Sequence, residues 1–219
     1  MTSPIMVIDP SLFKCFRSRL RKWGRENFTN YPWRKTENKF HGLVAEIMLQ
    51  RTNADQVVPV YKEFENKYDN PEDLAGIRKK SICKIFKPLG LHWRGHQFFE
   101  LIRELNKSGG MIPEQYDNLV SLLGIGPYVA SAFLSFHCHH NATIVDSNIV
   151  RLYGRFFGFH THPETRREKS FVLFCGNVTP QFKCSEFNYS LLDFTRAICK
   201  PKPSCINCPL VRKCYQANN

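Results

Sequence analysis

Along most of this 219-residue chain apolar side chains recur at intervals of three and four, while alternating β-branched runs are almost absent. That period puts the apolar residues on one face of successive helices, so the pattern calls for a predominantly α-helical protein. It predicts helices over residues 10–23, 39–51, 54–67, 71–76, 79–87, 92–106, 114–123, 127–138, 147–157, 166–175 and 184–199. Breakers fall between them. Gly109-Gly110 and Pro113 separate two helices, Gly158 follows another as a left-handed C-cap, and Pro201 and Pro203 forbid helix between Cys199 and Cys205. Thr143 to Val145 is the single strand-like run. No repeat of solenoid period and no low-complexity linker is visible, so any division into lobes is spatial.

Lys and Arg number 31 against 19 Asp and Glu, a net charge of +12. Cations that neutralise phosphates gain affinity by releasing counterions, so the excess points first to nucleic acid and second to an anionic membrane. Nine of these cations lie between Lys14 and Lys39 against Glu26 and Glu37, a stretch that a solvated basic helix would also explain. With 42% hydrophobic residues the chain can bury a sizeable core without disulfides. Met1 to Lys14 has neither the basic start nor the apolar run of a signal peptide, and no segment suits a membrane span. The expected location is inside the cell, in cytoplasm, nucleoid or nucleus. In a reducing compartment the nine cysteines are not a disulfide framework. Cys15, Cys83, Cys138, Cys175 and Cys184 are scattered and read as ordinary buried thiols.

Three short stretches have the residue types of a chemical site. In Leu122-Leu123-Gly124-Ile125-Gly126-Pro127-Tyr128 two glycines permit a tight reversal, and Pro127 suits the first position of the helix that follows. A long helix before it and an apolar helix after it make a helix, hairpin, helix unit. Backbone amides in such a turn can hold a phosphate without reading sequence, although a plain interhelical turn has the same pattern. Downstream, in Ile144-Val145-Asp146-Ser147-Asn148, Asp146 is placed as a helix N-cap. Cap and catalyst are compatible, because a carboxylate held rigid and ionised at a helix start suits stabilisation of a developing cation. Third, on the helix Leu43 to Gln50, apolar residues cover nearly the whole circumference, and Glu46 and Gln50 form one narrow polar notch. A notch on a buried helix lines an internal pocket, where desolvation raises a carboxyl pKa toward that of a proton donor; a surface Glu beside a Gln is the alternative.

The most specific signal is Cys199-x5-Cys205-x2-Cys208-x5-Cys214. Four thiolates so close suit a tetrahedral metal or a cubane cluster. Zinc ribbons use two Cys-x2-Cys pairs and this run has one, which favours iron and sulfur; zinc or four free thiols are the alternatives. Arg196, Lys200, Lys202, Arg212 and Lys213 surround the loop, so it could press on phosphates.

Hairpin, Val145-Asp146-x-Asn148 and terminal cysteine loop, in that order, resemble the helix-hairpin-helix DNA glycosylase superfamily in its endonuclease III branch, which carries a [4Fe-4S] cluster. The resemblance runs from Tyr31-Pro32-Trp33-Arg34 to Cys214. Within the branch, Pro32-Trp33-Arg34, Glu46 to Gln50 and Gly126-Pro127-Tyr128 look like the monofunctional members, the adenine (MutY type) and thymine/uracil (Mig type) mismatch glycosylases. The resemblance implies an all-α fold of two helical lobes. One, residues 30–140, would end in the hairpin, and residues 1–29 plus 141–219 would form the cluster lobe, with the DNA site in the cleft between Glu46 and Asp146.

It further implies that a base is flipped out of duplex DNA, that Asp146 stabilises the cationic transition state or activates water, and that Glu46 assists the departing base. Tyr128 and Asn148 would line the pocket with Gln50 and Arg51. Leu123, Gly124, Ile125, Gly126 and Tyr128 would meet the backbone, and Cys199, Cys205, Cys208 and Cys214 would hold the cluster. Bifunctional members have a lysine at the position of Tyr128; without that amine no Schiff base forms, so hydrolysis without strand cleavage is expected. Gln50-Arg51-Thr52, Leu89-Gly90-Leu91 before His92-Trp93-Arg94, and Leu191-Leu192-Asp193-Phe194 favour the thymine type, as does a sequence ending at Asn219 without the adenine enzymes' second domain. Five residues separate Cys199 from Cys205 where the family has six, so the loop is tighter. The expectation is a monomeric glycosylase for thymine or uracil opposite guanine. Adenine excision, a non-catalytic DNA-binding module and an electron-transfer protein are the competing readings.

Overall fold

The computed structural model describes residues 9–90 and 92–219, and of His92 the backbone alone. Residues 1–8 of the N-terminal stretch and Leu91 of the Leu89-Gly90-Leu91 run lie outside the described residues. Among the described residues eleven helices follow one another: α1 (Pro10–Glu26), α2 (Lys39–Met48), α3 (Ala54–Glu65), α4 (Lys79–Phe86), α5 (His92–Lys107), α6 (Tyr116–Ser121), α7 (Pro127–His137), α8 (Ser147–Phe157), α9 (Lys169–Val178), α10 (Cys184–Ala197) and α11 (Tyr215–Asn218). Short 3-10 turns lie between several of them. No strand occurs among the described residues: Thr143 to Val145 finds no partner segment, and its apolar character serves burial of Ile144, which is 1% exposed. No helix is long and apolar enough to cross a membrane among the described residues.

The chain forms two compact units, one of Asn30–Ala142 and one of the described residues up to Thr29 together with Thr143–Asn219. In the Asn30–Ala142 unit, α2 is buried along nearly its whole length and packs on α7 and α3, while α4 packs on α5. Asn38 starts α2, its side-chain oxygen accepting from Phe40 N at 2.8 Å and His41 N at 3.2 Å. The helix stops at Met48, three residues before its pattern does, because a distant cation takes its carbonyls. Arg94, 1% exposed, donates to Met48 O at 3.0 Å, to Thr52 Oγ1 at 3.1 Å and to Gln50 O. Arg51 is thereby turned into the left-handed region at φ 54°.

The other unit is built on aromatic rings. Phe16 of α1 meets Tyr153, Phe156 and Phe157 of α8 and Phe187 of α10 at centroid distances of 4.8 to 6.3 Å. Gly24 lets α1 lie against α10, since a Cβ there would stand 2.0 Å from Ser190 Oγ. The basic face of α1 is partly structural. Arg17 donates to Val178 O at 2.7 Å and to Asn177 O, Arg19 to Pro209 O at 2.9 Å, and Arg21 to Phe182 O at 3.0 Å. Arg17 thus satisfies carbonyls at the C-terminal end of α9, and Arg19 and Arg21 satisfy carbonyls in loops. Helix α8 keeps its predicted bounds, opened by Asp146 and closed by Gly158 at φ 82°. Helix α9 begins and ends three residues later than its pattern suggested, because Thr165–Arg167 winds into a 3-10 turn of its own.

Candidate active site

The hairpin is built from residues that bury their flanks and expose their tip. Leu122 and Ile125 are 9% and 4% exposed and anchor it, whereas Leu123 between them is 47% exposed. Ile125 N donates to Leu122 O at 3.1 Å, closing a turn in which Gly124 takes φ +86°. The helix before it, α6, has six residues and not the long run expected, since Leu122 already turns to an extended ψ of 140°. Gly126 has φ −90°, a value open to any residue, and a Cβ there would meet nothing within 4 Å. Its lack of a side chain therefore serves access to the turn and not conformation. Gly126 brings no side-chain cap to α7 and Pro127 no amide, so the start of this helix presents backbone donors of the kind that bind anions. Gln50 Nε2 donates to Gly124 O at 3.3 Å and ties the end of α2 to the turn. Arg51 is exposed beside it, and Tyr128 is half-buried against the core of the same unit.

Glu46 lies on the buried side of α2, its side chain 3% exposed, which removes the reading of a surface Glu. Its carboxyl Oε1 stands 3.3 Å from Nε2 of His137, the last residue of α7, whose side chain is 2% exposed. Sequence reasoning missed His137. The one available signal was a histidine spaced four residues from Phe133 on an otherwise apolar helix.

Asp146, in the other unit, is the N-cap of α8. Its Oδ1 accepts from Ile149 N at 2.7 Å and its Oδ2 from Asn148 Nδ2 at 2.7 Å. Asn148 Oδ1 in turn accepts from Arg151 Nη1 at 2.9 Å, and Arg151 donates onward to Cys199 O at 3.0 Å and Thr195 O at 3.3 Å. These two hydrogen bonds fix the orientation of the Asp146 side chain. Of the predicted residues, Asp146 and Asn148 are thus brought together in one unit, and Gln50 and the hairpin in the other. Arg151, in the predicted run but without an assigned role, joins the Asp146 chain to the cysteine loop.

Cys199, Cys205, Cys208 and Cys214 all line one cavity of about 130 Å3, walled by Leu152, Phe156, Phe194 and Leu210. Pro203 and two 3-10 turns, Cys205–Asn207 and Val211–Lys213, shape the loop around it. Arg155 steadies the start of the loop by donating to Lys200 O at 2.8 Å and Pro201 O at 2.9 Å. Among the described residues no three His, Cys, Asp or Glu side chains are gathered as around a single ion. Four thiols around one largely apolar cavity are a donor set that could hold a cubane iron-sulfur group or a tetrahedral metal.

A family model described as HhH-GPD superfamily base excision DNA repair protein matches residues 44–174. The chain is 34% identical, over 98% of its length, to a thymine-DNA glycosylase of Aeropyrum pernix, 100% of which is covered. It is 37% identical, over 89% of its length, to a thymine/uracil-DNA glycosylase of Pyrobaculum aerophilum, with 88% of that protein covered. The solved structure of a thermostable thymine-DNA glycosylase superposes with a TM-score of 0.89 at 31% identity, covering 95% of this chain and 97% of that one. A family model that takes in the hairpin, Glu46 and Asp146, and relatives one-third identical along nearly the whole chain, place it in the HhH-GPD superfamily of base excision DNA repair proteins.

Proposed function

We propose that this protein is a monofunctional DNA glycosylase that removes thymine or uracil mispaired with guanine and leaves the strand intact. The observation that carries the chemistry is Asp146, a carboxylate fixed at a helix start by Ile149 N and Asn148 Nδ2. In the reaction the bond between C1′ of the sugar and the base nitrogen breaks, and its electron pair leaves with the base. The sugar becomes cationic, and a water oxygen then bonds to C1′ as that water loses a proton. A rigid anion stabilises the cation more than the neutral ground state, which is what lowers the barrier. Asp146 takes this role and accepts the proton of the attacking water. Glu46 is assigned assistance to the departing base, and Asn148 of one unit and Gln50, Arg51 and Tyr128 of the other are assigned contact with that base.

At position 128 a phenol replaces the amine that strand-cleaving members use, so no covalent imine is made and the product is an abasic site. Backbone donors at Leu123 to Gly126, with Tyr128, grip phosphate, and the net charge of +12 supplies sequence-independent affinity. The choice of pyrimidine is supported by the relatives' activities on thymine and uracil. Cys199, Cys205, Cys208 and Cys214, which line one cavity, would hold a [4Fe-4S] cluster, and the cluster would cross-link the basic loop. The protein acts as a monomer.

One panel tests this. Purified protein is incubated with T:G, U:G, A:G and A:8-oxoguanine duplexes, and breaks are scored with and without hot alkali. Alkali-dependent breaks at T:G and U:G are expected. Breaks confined to the adenine duplexes would overturn the substrate, breaks without alkali would overturn the monofunctional chemistry, and none at all would overturn the enzyme. Brown protein with sulfide and iron near four per chain is expected for the cluster; colourless protein with one zinc would replace it.

A further inference from the structure

Glu46 and His137, 91 positions apart in sequence and on different helices, meet in an apolar interface where neither is exposed. Leu43, Val44, Ala45, Ile47 and Met48 surround Glu46 on α2, and Phe133, Leu134 and Phe136 precede His137 on α7, all buried. Placing two ionisable groups there is costly unless each answers the other, and two apolar side chains would hold the helices together as well. The fold nevertheless makes room for the ring. Gly42 lies one turn before Glu46 on the same face of α2, and a Cβ at position 42 would stand 2.4 Å from His137 Cγ and 2.5 Å from its Nδ1. Any larger residue at 42 displaces the imidazole, and with it the contact to Glu46.

We propose that His137 is a positioning residue for Glu46: held in the space that Gly42 leaves, its imidazole Nε2–H fixes the orientation of the carboxyl that assists the departing base. This rests on the reading of Glu46 given above. Of a long side chain with three rotatable bonds, one oxygen is pinned by the ring and the other is left for the substrate. The ring touches no substrate, so its effect falls on the chemical step and not on DNA binding.

The experiment uses the full-length protein and whichever of the T:G and U:G duplexes the wild type processes faster. Single-turnover base release and duplex affinity are measured for His137→Leu, His137→Gln, Glu46→Gln and the double variant Glu46→Gln/His137→Leu. The expected result is a loss of about 100-fold in base release for His137→Leu with affinity within about threefold of wild type. His137→Gln, whose amide nitrogen can donate from the place of Nε2, is expected within about fivefold of wild type. The double variant is expected to be no slower than Glu46→Gln alone, because both changes break one interaction. Wild-type rates in His137→Leu, equal losses in His137→Leu and His137→Gln, or additive losses in the double variant would overturn the proposal. A wild-type rate in Glu46→Gln would instead overturn the role of Glu46 itself. Should His137→Leu melt too low to assay, His137→Asn draws the amide back from Glu46 and takes its place, with the same loss expected and the same contrary result.

Discussion

Asp146 and Glu46, one in each unit, are held in opposite ways. Asp146 receives both of its hydrogen bonds from residues two and three positions further along the chain, as any good N-cap does. Glu46 depends on a ring that the packing of α2 against α7 brings to it. The first arrangement is made by local sequence and survives as long as α8 is a helix. The second exists only once the core of its unit has closed.

The comparison breaks most easily at Arg151, where the local Asp146 arrangement is itself anchored at long range. Arg151→Leu removes donors to Cys199 O, Thr195 O and Asn148 Oδ1, and a loss of about 2–4 kcal/mol in urea unfolding is expected. A change below about 0.5 kcal/mol would mean that the Asp146 side needs no tether. Next comes Gly42→Ala, which drives a methyl into the His137 ring and is expected to cost about 1–3 kcal/mol by overpacking. A neutral result would mean that α2 and α7 can part without loss. In the hairpin, Gly124→Ala forces a side chain to φ +86° and is expected to cost about 1–2 kcal/mol. Gly126→Ala, with open space around it, is expected to leave thermal stability within about 0.5 kcal/mol while weakening duplex binding in anisotropy titrations, as the proposed approach of phosphate to this turn requires.

The smallest effect concerns the exposed Lys39–Glu114 pair. Lys39 holds the Glu114 carboxyl below its ordinary value of 4.5, and Glu114 holds Lys39 above 10.5. A depressed carboxylate contributes above the unfolded value and loses that contribution as pH falls through the folded one; the raised lysine loses its contribution as pH rises through its own folded value. Between those limits Glu114→Gln is expected to cost only a few tenths of a kcal/mol, because both groups are solvated, and the difference should vanish in acid. Melting curves at pH 7 and in acid check this.

What could be read from the sequence follows the same division. Helix α8 was legible to the residue because Asp146 and Gly158 are signals carried by the chain at the helix's own ends. Helix α2 was over-extended to Arg51 because its true end is set by Arg94, a cation 46 and 44 residues away in sequence from the Met48 and Gln50 carbonyls it binds. The all-α fold followed from periodicity alone. Glu46 could be placed as a buried notch, since its own helix is apolar around it, but His137 could not be paired with it from a pattern, because nothing local to either residue records that α2 and α7 touch. The cysteine run was visible as a ligand set by spacing; that its four thiols share one apolar cavity required the fold.

The measurement that bears most directly on the account is single-turnover base release from a T:G duplex by the wild type and Asp146→Asn side by side. Asparagine caps a helix as well as aspartate does, its amide oxygen taking the place of Oδ1, so α8 and duplex binding are retained while the negative charge and the acceptor for Asn148 Nδ2 are removed. The account predicts that Asp146→Asn binds the duplex and releases thymine at least about 1,000-fold more slowly. Release within about tenfold of the wild type would contradict it, and would leave Asp146 a helix cap and nothing more.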